Sequence, residues 1–253
     1  MTHGWAQTPR YGWAQAEPRH GWAHTRRSGL LAFEPGDPPA ARALRPTVFL
    51  DRDGVLNELA PDPVSGDGES PLAVADVRLI AGAAAAARRL AQAGFVLVCV
   101  SNQPAAAKGA STVAQLQGVH ERVLELLALE GVCVDTSRLC LHHPDGVTPS
   151  LSERCCCRKP RPGMLLDAAA GLGVDLHASW MIGDTDADVA AGHAAGCRTI
   201  LLEQPGSAHK RTGHAHPDLL AADLARAAPL LLGLTLRAST RGASPGLPAY
   251  RDP

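Results

Sequence analysis

Two acidic residues, Asp51 and Asp53, follow directly on the apolar run Thr47-Val48-Phe49-Leu50 and are closed by Gly54. A β-branched and apolar run of this kind reads as a buried strand, which delivers both carboxylates to its C-terminal end. In an open α/β sheet, ligands and chemistry collect at that edge. Two carboxylates so placed can hold a divalent cation and act on a phosphate ester. One would serve as nucleophile and the other as general acid/base. The same residues also fit a polar loop after a strand, so the pair needs support from elsewhere in the chain.

Three further segments offer it. The run Val96-Leu97-Val98-Cys99-Val100 ends in Ser101-Asn102-Gln103. A hydroxyl and backbone N–H groups at a strand tip can hold a phosphoryl group, although Ser and Asn also open ordinary turns. Arg158-Lys159-Pro160 puts two cations just before a predicted helix. A lysine there would offset charge on transferring phosphoryl oxygens, against the plainer reading of a solvated basic turn. Trp180-Met181-Ile182-Gly183 leads to Asp184, with Asp186 and Asp188 close behind. Asp184 could join Asp51 in an oxygen-ligand set for Mg²⁺, while helix capping accounts for acids in a first turn. Both can hold at once.

A second constellation is soft rather than hard. Four of the seven cysteines lie between Cys140 and Cys157. Cys140-Leu141-His142, twelve intervening residues, then Cys155-Cys156-Cys157 closes one loop with thiolate and imidazole ligands, as tetrahedral structural Zn²⁺ prefers. Adjacent residues in extended chain point apart, so Cys155 and Cys157 are the joint ligands and Cys156 is not. His143 competes with His142. No Cys-x-x-Cys redox motif is present, and the crowding of thiols suits a metal in a reducing, cytoplasmic setting better than a disulfide framework.

These residues must be positioned by alternating strands and helices. The expected strands are Thr47–Leu50, residues 95–100, 137–141, 179–182 and Arg198–Leu202. The expected helices are residues 82–93, 112–129, 164–172, Asp186–Ala195 and 219–232. Such alternation implies a Rossmann-like parallel sheet with helices on both faces. Residues 54–80 form a long Pro-, Gly- and Asp-rich excursion. Residues 1–46 hold three of the four tryptophans in a loose repeat, His3-Gly4-Trp5, Tyr11-Gly12-Trp13 and His20-Gly21-Trp22, and read as disordered, as do 233–253. The first segment is an interaction tail or sequence upstream of the true start. A core can be built from 45% apolar residues, but with 4% aromatics it rests on Ala, Leu and Val. A net charge of −1 gives no reason to expect a nucleic-acid or membrane partner. No apolar run reaches the roughly 18–20 residues of a membrane helix, and no secretory signal is visible at the N-terminus.

Taken in order, Asp-x-Asp-Gly after one strand, Ser after the next, Lys in a later loop and Gly-Asp-x-x-x-Asp after another resemble the haloacid dehalogenase superfamily of phosphatases. The zinc loop with Cys157-Arg158-Lys159-Pro160 and Pro162-Gly163-Met164-Leu165 resembles the small branch of heptose-bisphosphate and histidinol-phosphate phosphatases. The resemblance spans about residues 46–232 and implies a phosphatase without a large cap domain. It implies Asp51 as nucleophile, Asp53 as general acid/base, and Ser101 and Lys159 against the transferred phosphoryl group. Asp51, the Asp53 carbonyl and Asp184 would hold Mg²⁺, with Cys140, His142, Cys155 and Cys157 on Zn²⁺. Asn102, Gln103 and Arg158 fall at substrate-contacting positions.

The chain departs from that pattern in two places. The family's Asn-Gln-Ser-Gly is Asn102-Gln103-Pro104-Ala105 here, and Thr185 stands where Lys often follows Gly-Asp. The expected reaction is hydrolysis of a small sugar phosphate, most simply the 7-phosphate of a heptose 1,7-bisphosphate, by a monomer acting on a small molecule. Histidinol phosphate is the alternative substrate. A zinc-stapled binding module with idle phosphatase motifs is the alternative of another class, and a polynucleotide phosphatase lacks a basic stripe.

Overall fold

The computed structural model describes residues 23–27, 29–33, 44–62 and 65–241. The Trp-containing repeat falls outside them, apart from Ala23. In chain order the strands are β1 Ala23–Arg27, β2 Leu30–Phe33, β3 Thr47–Leu50, β4 Ala60–Pro61, β5 Gly68–Glu69, β6 Val96–Asn102, β7 Thr136–Cys140, β8 Trp180–Gly183, β9 Arg198–Leu202 and β10 Leu219–Ala221. The helices are α1 Ala83–Gln92, α2 Val113–Leu129, α3 Gly163–Leu172, α4 Asp186–Ala195 and α5 Leu224–Arg241.

One eight-stranded sheet runs β1-β2-β7-β6-β3-β8-β9-β10. From β7 to β10 every pairing is parallel, while β1 and β2 add an antiparallel edge. The central strand shows why both faces are covered. Val48 and Leu50 join a core with Leu90 of α1, Val123 of α2 and Leu231 of α5. Phe49 points to the opposite face, among Met164 and Leu165 of α3 and Ala191 of α4. Successive strand residues face opposite ways, so a four-residue run that is buried throughout must be sandwiched. Each of the Val, Leu, Phe and Met side chains among these contributes about 1.5–3 kcal/mol relative to exposure.

Register sets the active edge. Leu50 lies level with Cys99 of β6 and Ile182 of β8. Asp51 therefore leaves the sheet between the tips that carry Ser101 and Asp184.

Three expectations are corrected. Residues 1–46 are not without structure throughout, because Leu30–Phe33 pairs with β7 and its four residues are buried. That strand is built from the apolar run Leu30-Leu31-Ala32-Phe33, and Leu31 and Phe33 pack on Leu116, Leu139 and Leu141. Residues 219–232 are not one helix. Leu219–Ala221 extends the sheet beside β9, and α5 starts only at Leu224, with the Asp223 carboxylate accepting from Arg226 N at 2.8 Å. The helix then runs to Arg241, into residues expected to be disordered.

Candidate active site and metal clusters

Asp51 sits at the tip of β3, and its backbone N–H donates to Ile182 O at 2.9 Å. Lys159 lies 3.0 Å from Asp51 Oδ1 and 2.6 Å from Asp188 Oδ1, and its ammonium also donates to Val100 O at 2.8 Å. Lys159 is 3% exposed. Burial would lower its pKa, but the Asp188 and Asp51 carboxylates outweigh that and hold it charged well above the usual range. Burial pushes Asp51 up to about 6. Lys159 pulls it down, and Asp188 and Asp53 push it up further.

Asp53 is treated differently. Arg52, fully buried, grips both of its oxygens at 3.1 Å, Asn57 Nδ2 donates to Oδ1 at 2.9 Å, and Ser70 Oγ and Gln103 Nε2 donate to Oδ2 at 2.8 and 2.6 Å. Burial alone would raise its pKa, but the Arg52 charge and these hydrogen bonds hold it below the usual carboxylate range. Adjacent carboxylates thus sit in opposite environments, one desolvated against other acids and one saturated with donors.

Asp184 completes the group. Its pKa rises to about 8 through burial, with Asp51 and Asp188 adding to the rise. Gly54 bounds it from β3's loop at φ +80°, and a Cβ there would overlap the Asp184 carboxylate. Asp188 caps α4, its Oδ2 accepting from Thr185 N at 3.0 Å and Thr185 Oγ1 at 2.6 Å, while its other oxygen meets Lys159. One acid is therefore both helix cap and lysine anchor. The sequence reading left Asp188 out of the site, although Gly183-Asp184-x-x-x-Asp188 was its signal.

The second cluster lies at the end of β7. Cys140 Sγ is 3.6 Å from His142 Nδ1, 3.6 Å from Cys155 Sγ and 3.2 Å from Cys157 Sγ, and Cys157 Sγ is 3.4 Å from His142 Nδ1. His142 Nε2 faces Glu153 Oε1 at 3.2 Å, which leaves Nδ1 for the cluster. His143, the rival ligand, points away and accepts from Asp145 N at 3.2 Å. Cys156 is exposed. Gly29, at φ +79°, packs so closely on the His142 ring that a Cβ would overlap it, and its carbonyl accepts from Leu141 N at 2.8 Å. The N-terminal hairpin therefore backs the cluster.

The described fold and site have relatives. A sequence profile described as HAD-hydrolase-like matches residues 156–227. The D-glycero-β-D-manno-heptose-1,7-bisphosphate 7-phosphatase of Yersinia pestis is 38% identical over 180 residues, covering 71% of this chain and 92% of its own. The chain belongs to the haloacid dehalogenase-like phosphatases. The heptose bisphosphate phosphatase of Pseudomonas aeruginosa is 34% identical over 190 residues, covering 74% of this chain and 98% of its own. Among solved structures, a putative HAD-like phosphatase from Mesorhizobium loti superposes with a TM-score of 0.66 at 30% identity, over 88% of this chain and 98% of its own. The D,D-heptose 1,7-bisphosphate phosphatase of B. bronchiseptica, complexed with magnesium and phosphate, gives 0.63 at 31% identity, over 75% and 99%.

Both metal expectations of a haloacid dehalogenase-like phosphatase fit the residues present. Oxygens of Asp51, Asp184 and Asp188 lie within 4.8 Å of one another. Asp184 Oδ2 is buried with no hydrogen-bond donor. Three buried acids around one ammonium leave negative charge in excess, and an all-oxygen set of this kind suits Mg²⁺. The sulfurs and Nδ1 of the other cluster also lie within 4.8 Å. A tetrahedron with Zn–S bonds of 2.3 Å has edges of about 3.8 Å, somewhat longer than the 3.2 and 3.6 Å found between the sulfurs.

The residues expected to touch substrate are engaged inside the protein. Asn102 Nδ2 donates to Lys159 O at 3.0 Å, and Lys159 N donates back to Asn102 Oδ1 at 3.0 Å. Gln103 Nε2 bridges Asp53 and Ser101 Oγ, the latter at 3.0 Å. Arg158 donates to His142 O at 3.2 Å, and its backbone N–H meets Cys155 Sγ at 3.3 Å. Cys140 and Asn102 share a register position on β7 and β6. The zinc loop, Asn102 and Lys159 therefore form one continuous brace.

Proposed function

We propose that this phosphatase removes the 7-phosphate of D-glycero-β-D-manno-heptose 1,7-bisphosphate through an aspartyl-phosphate on Asp51. The pairing of a desolvated Asp51 beside Lys159 with a separately held Asp53 carries the reading. Asp51 Oδ attacks phosphorus in line with the ester oxygen, and the P–O bond to the sugar breaks. Asp53, in its protonated form, gives that proton to the departing sugar oxygen and is left as the carboxylate that Arg52 favours. Lys159 and Ser101 face the transferred phosphoryl oxygens. Water then attacks the aspartyl-phosphate, Asp53 takes its proton, and inorganic phosphate leaves. Asp51, Asp184 and the Asp53 carbonyl would hold Mg²⁺, which when bound offsets phosphoryl charge and keeps Asp51 ionised.

The heptose assignment is supported by relatives that bear this name and match nearly their full length. The test is a panel of heptose 1,7-bisphosphate, fructose 1,6-bisphosphate and histidinol phosphate, each with Mg²⁺. The reading expects kcat/KM for the heptose ester to exceed the others by about a hundredfold or more. A preference for histidinol phosphate would replace the substrate, and turnover of none would remove the catalytic reading.

A further inference from the structure

The long excursion after Gly54 is not a passive loop. It forms the β4–β5 hairpin and then delivers Ser70 to the site, with Ser70 Oγ 2.8 Å from Asp53 Oδ2. The hairpin is seated on the turn Pro205–Lys210. Lys210 Nζ meets Gly68 O at 3.1 Å and Glu69 Oε2 at 2.8 Å, and the His209 ring faces Glu69 at 3.6 Å. The same segment holds the backbone of Asp184, whose carbonyl accepts from Ser207 Oγ at 3.2 Å and Arg211 Nη1 at 3.1 Å. One short stretch thus ties the carrier of Ser70 to a metal-site acid.

Asp53 receives hydrogen bonds from Arg52, Asn57, Gln103 and Ser70. Guanidinium and amide nitrogens only donate. Of these four described partners, Ser70 is the one whose hydrogen-bonding atom, as placed, can also accept, since a hydroxyl rotates without moving its oxygen. We propose that Ser70 is a positioning residue for the reaction, holding the Asp53 carboxylate in place at the sheet edge by donating to it from the segment that follows the β4–β5 hairpin. This rests on the acid/base reading of Asp53 but not on the identity of the sugar.

The test measures kcat/KM for a series of aryl phosphates from p-nitrophenyl to phenyl phosphate, in wild type, Ser70→Ala, Ser70→Thr and Asp53→Asn. The more basic the leaving oxygen, the more it depends on a well-aimed proton. Ser70→Ala should lose about three- to tenfold more on phenyl than on p-nitrophenyl phosphate, as expected for one neutral hydrogen bond. Ser70→Thr, which keeps the hydroxyl, should recover most of that selective loss. Asp53→Asn should show a larger selective loss. An equal loss across the series in Ser70→Ala, or none, would overturn the proposal while a selective loss in Asp53→Asn leaves the acid reading standing. No selective loss in Asp53→Asn would remove both.

Discussion

The molecule carries two clusters able to hold metal, and they are built in opposite ways. The carboxylates of Asp51 and Asp184 are presented by parallel strands whose register is fixed by cores on both faces. The thiols of Cys155 and Cys157 come from a loop outside the regular strands and meet Cys140 and His142 at the end of β7, against Met164 and Leu165. The first is positioned by packing and can do without its ion to keep its shape. The second is expected to draw part of its stability from a bound ion. The brace through Arg158, Lys159 and Asn102 is where the two meet.

The sharpest way to break the comparison is Asp51→Asn. It should cut kcat by more than about a thousandfold, as loss of a nucleophile does. Melting temperature should stay level or rise, because burial disfavours the native carboxylate. Residual activity above a few per cent would sink the assignment.

Cys157→Ser should act on the other cluster. Structural Zn²⁺ contributes folding free energy directly, so the variant should lose zinc and on the order of several kcal/mol of stability, with activity falling as Lys159 shifts. Cys155→Ser should follow it. Cys156→Ser should change little, its side chain being exposed.

Gly54→Ala joins a strained φ to an overlap with Asp184. It should raise the Mg²⁺ concentration needed for half-maximal rate about tenfold, from about 1–2 kcal/mol of backbone and contact cost. An unchanged Mg²⁺ requirement would separate Asp184 from the metal.

The smallest effect is in pH. Asp51 and Asp184 have native pKa values raised from 3.8 to about 6 and about 8. Their contribution to stability is therefore present at low pH and is lost as pH climbs through those values. Without Mg²⁺, melting temperature should fall between about pH 5 and 8, and added Mg²⁺ should restore it most at the alkaline end. A flat profile would show that the acids are not crowded.

Much of this was legible in the sequence because the informative residues terminate strong apolar runs. Thr47–Leu50 and Trp180–Gly183 read as strands, and their acids followed. Asp186–Ala195 and Arg198–Leu202 match their expected bounds. What escaped depended on tertiary context. Leu30–Phe33 is a short apolar run amid Pro and Gly, and it becomes a strand only because β7 offers an open edge. Leu219–Ala221 has helical composition, yet pairing with β9 overrides it until Asp223 caps α5. The hydrogen bonds that Asn102, Gln103 and Arg158 make to Lys159, Asp53 and His142 are visible only in the coordinates.

The most direct test is metal content together with Mg²⁺ dependence in wild type, Asp184→Asn and Cys157→Ser. The account predicts one tightly bound zinc per chain in wild type and Asp184→Asn, none in Cys157→Ser, and loss of Mg²⁺-dependent turnover in Asp184→Asn. Zinc retained in Cys157→Ser, or lost with Asp184→Asn, would contradict the division of the molecule into a packed oxygen site and an ion-held sulfur loop.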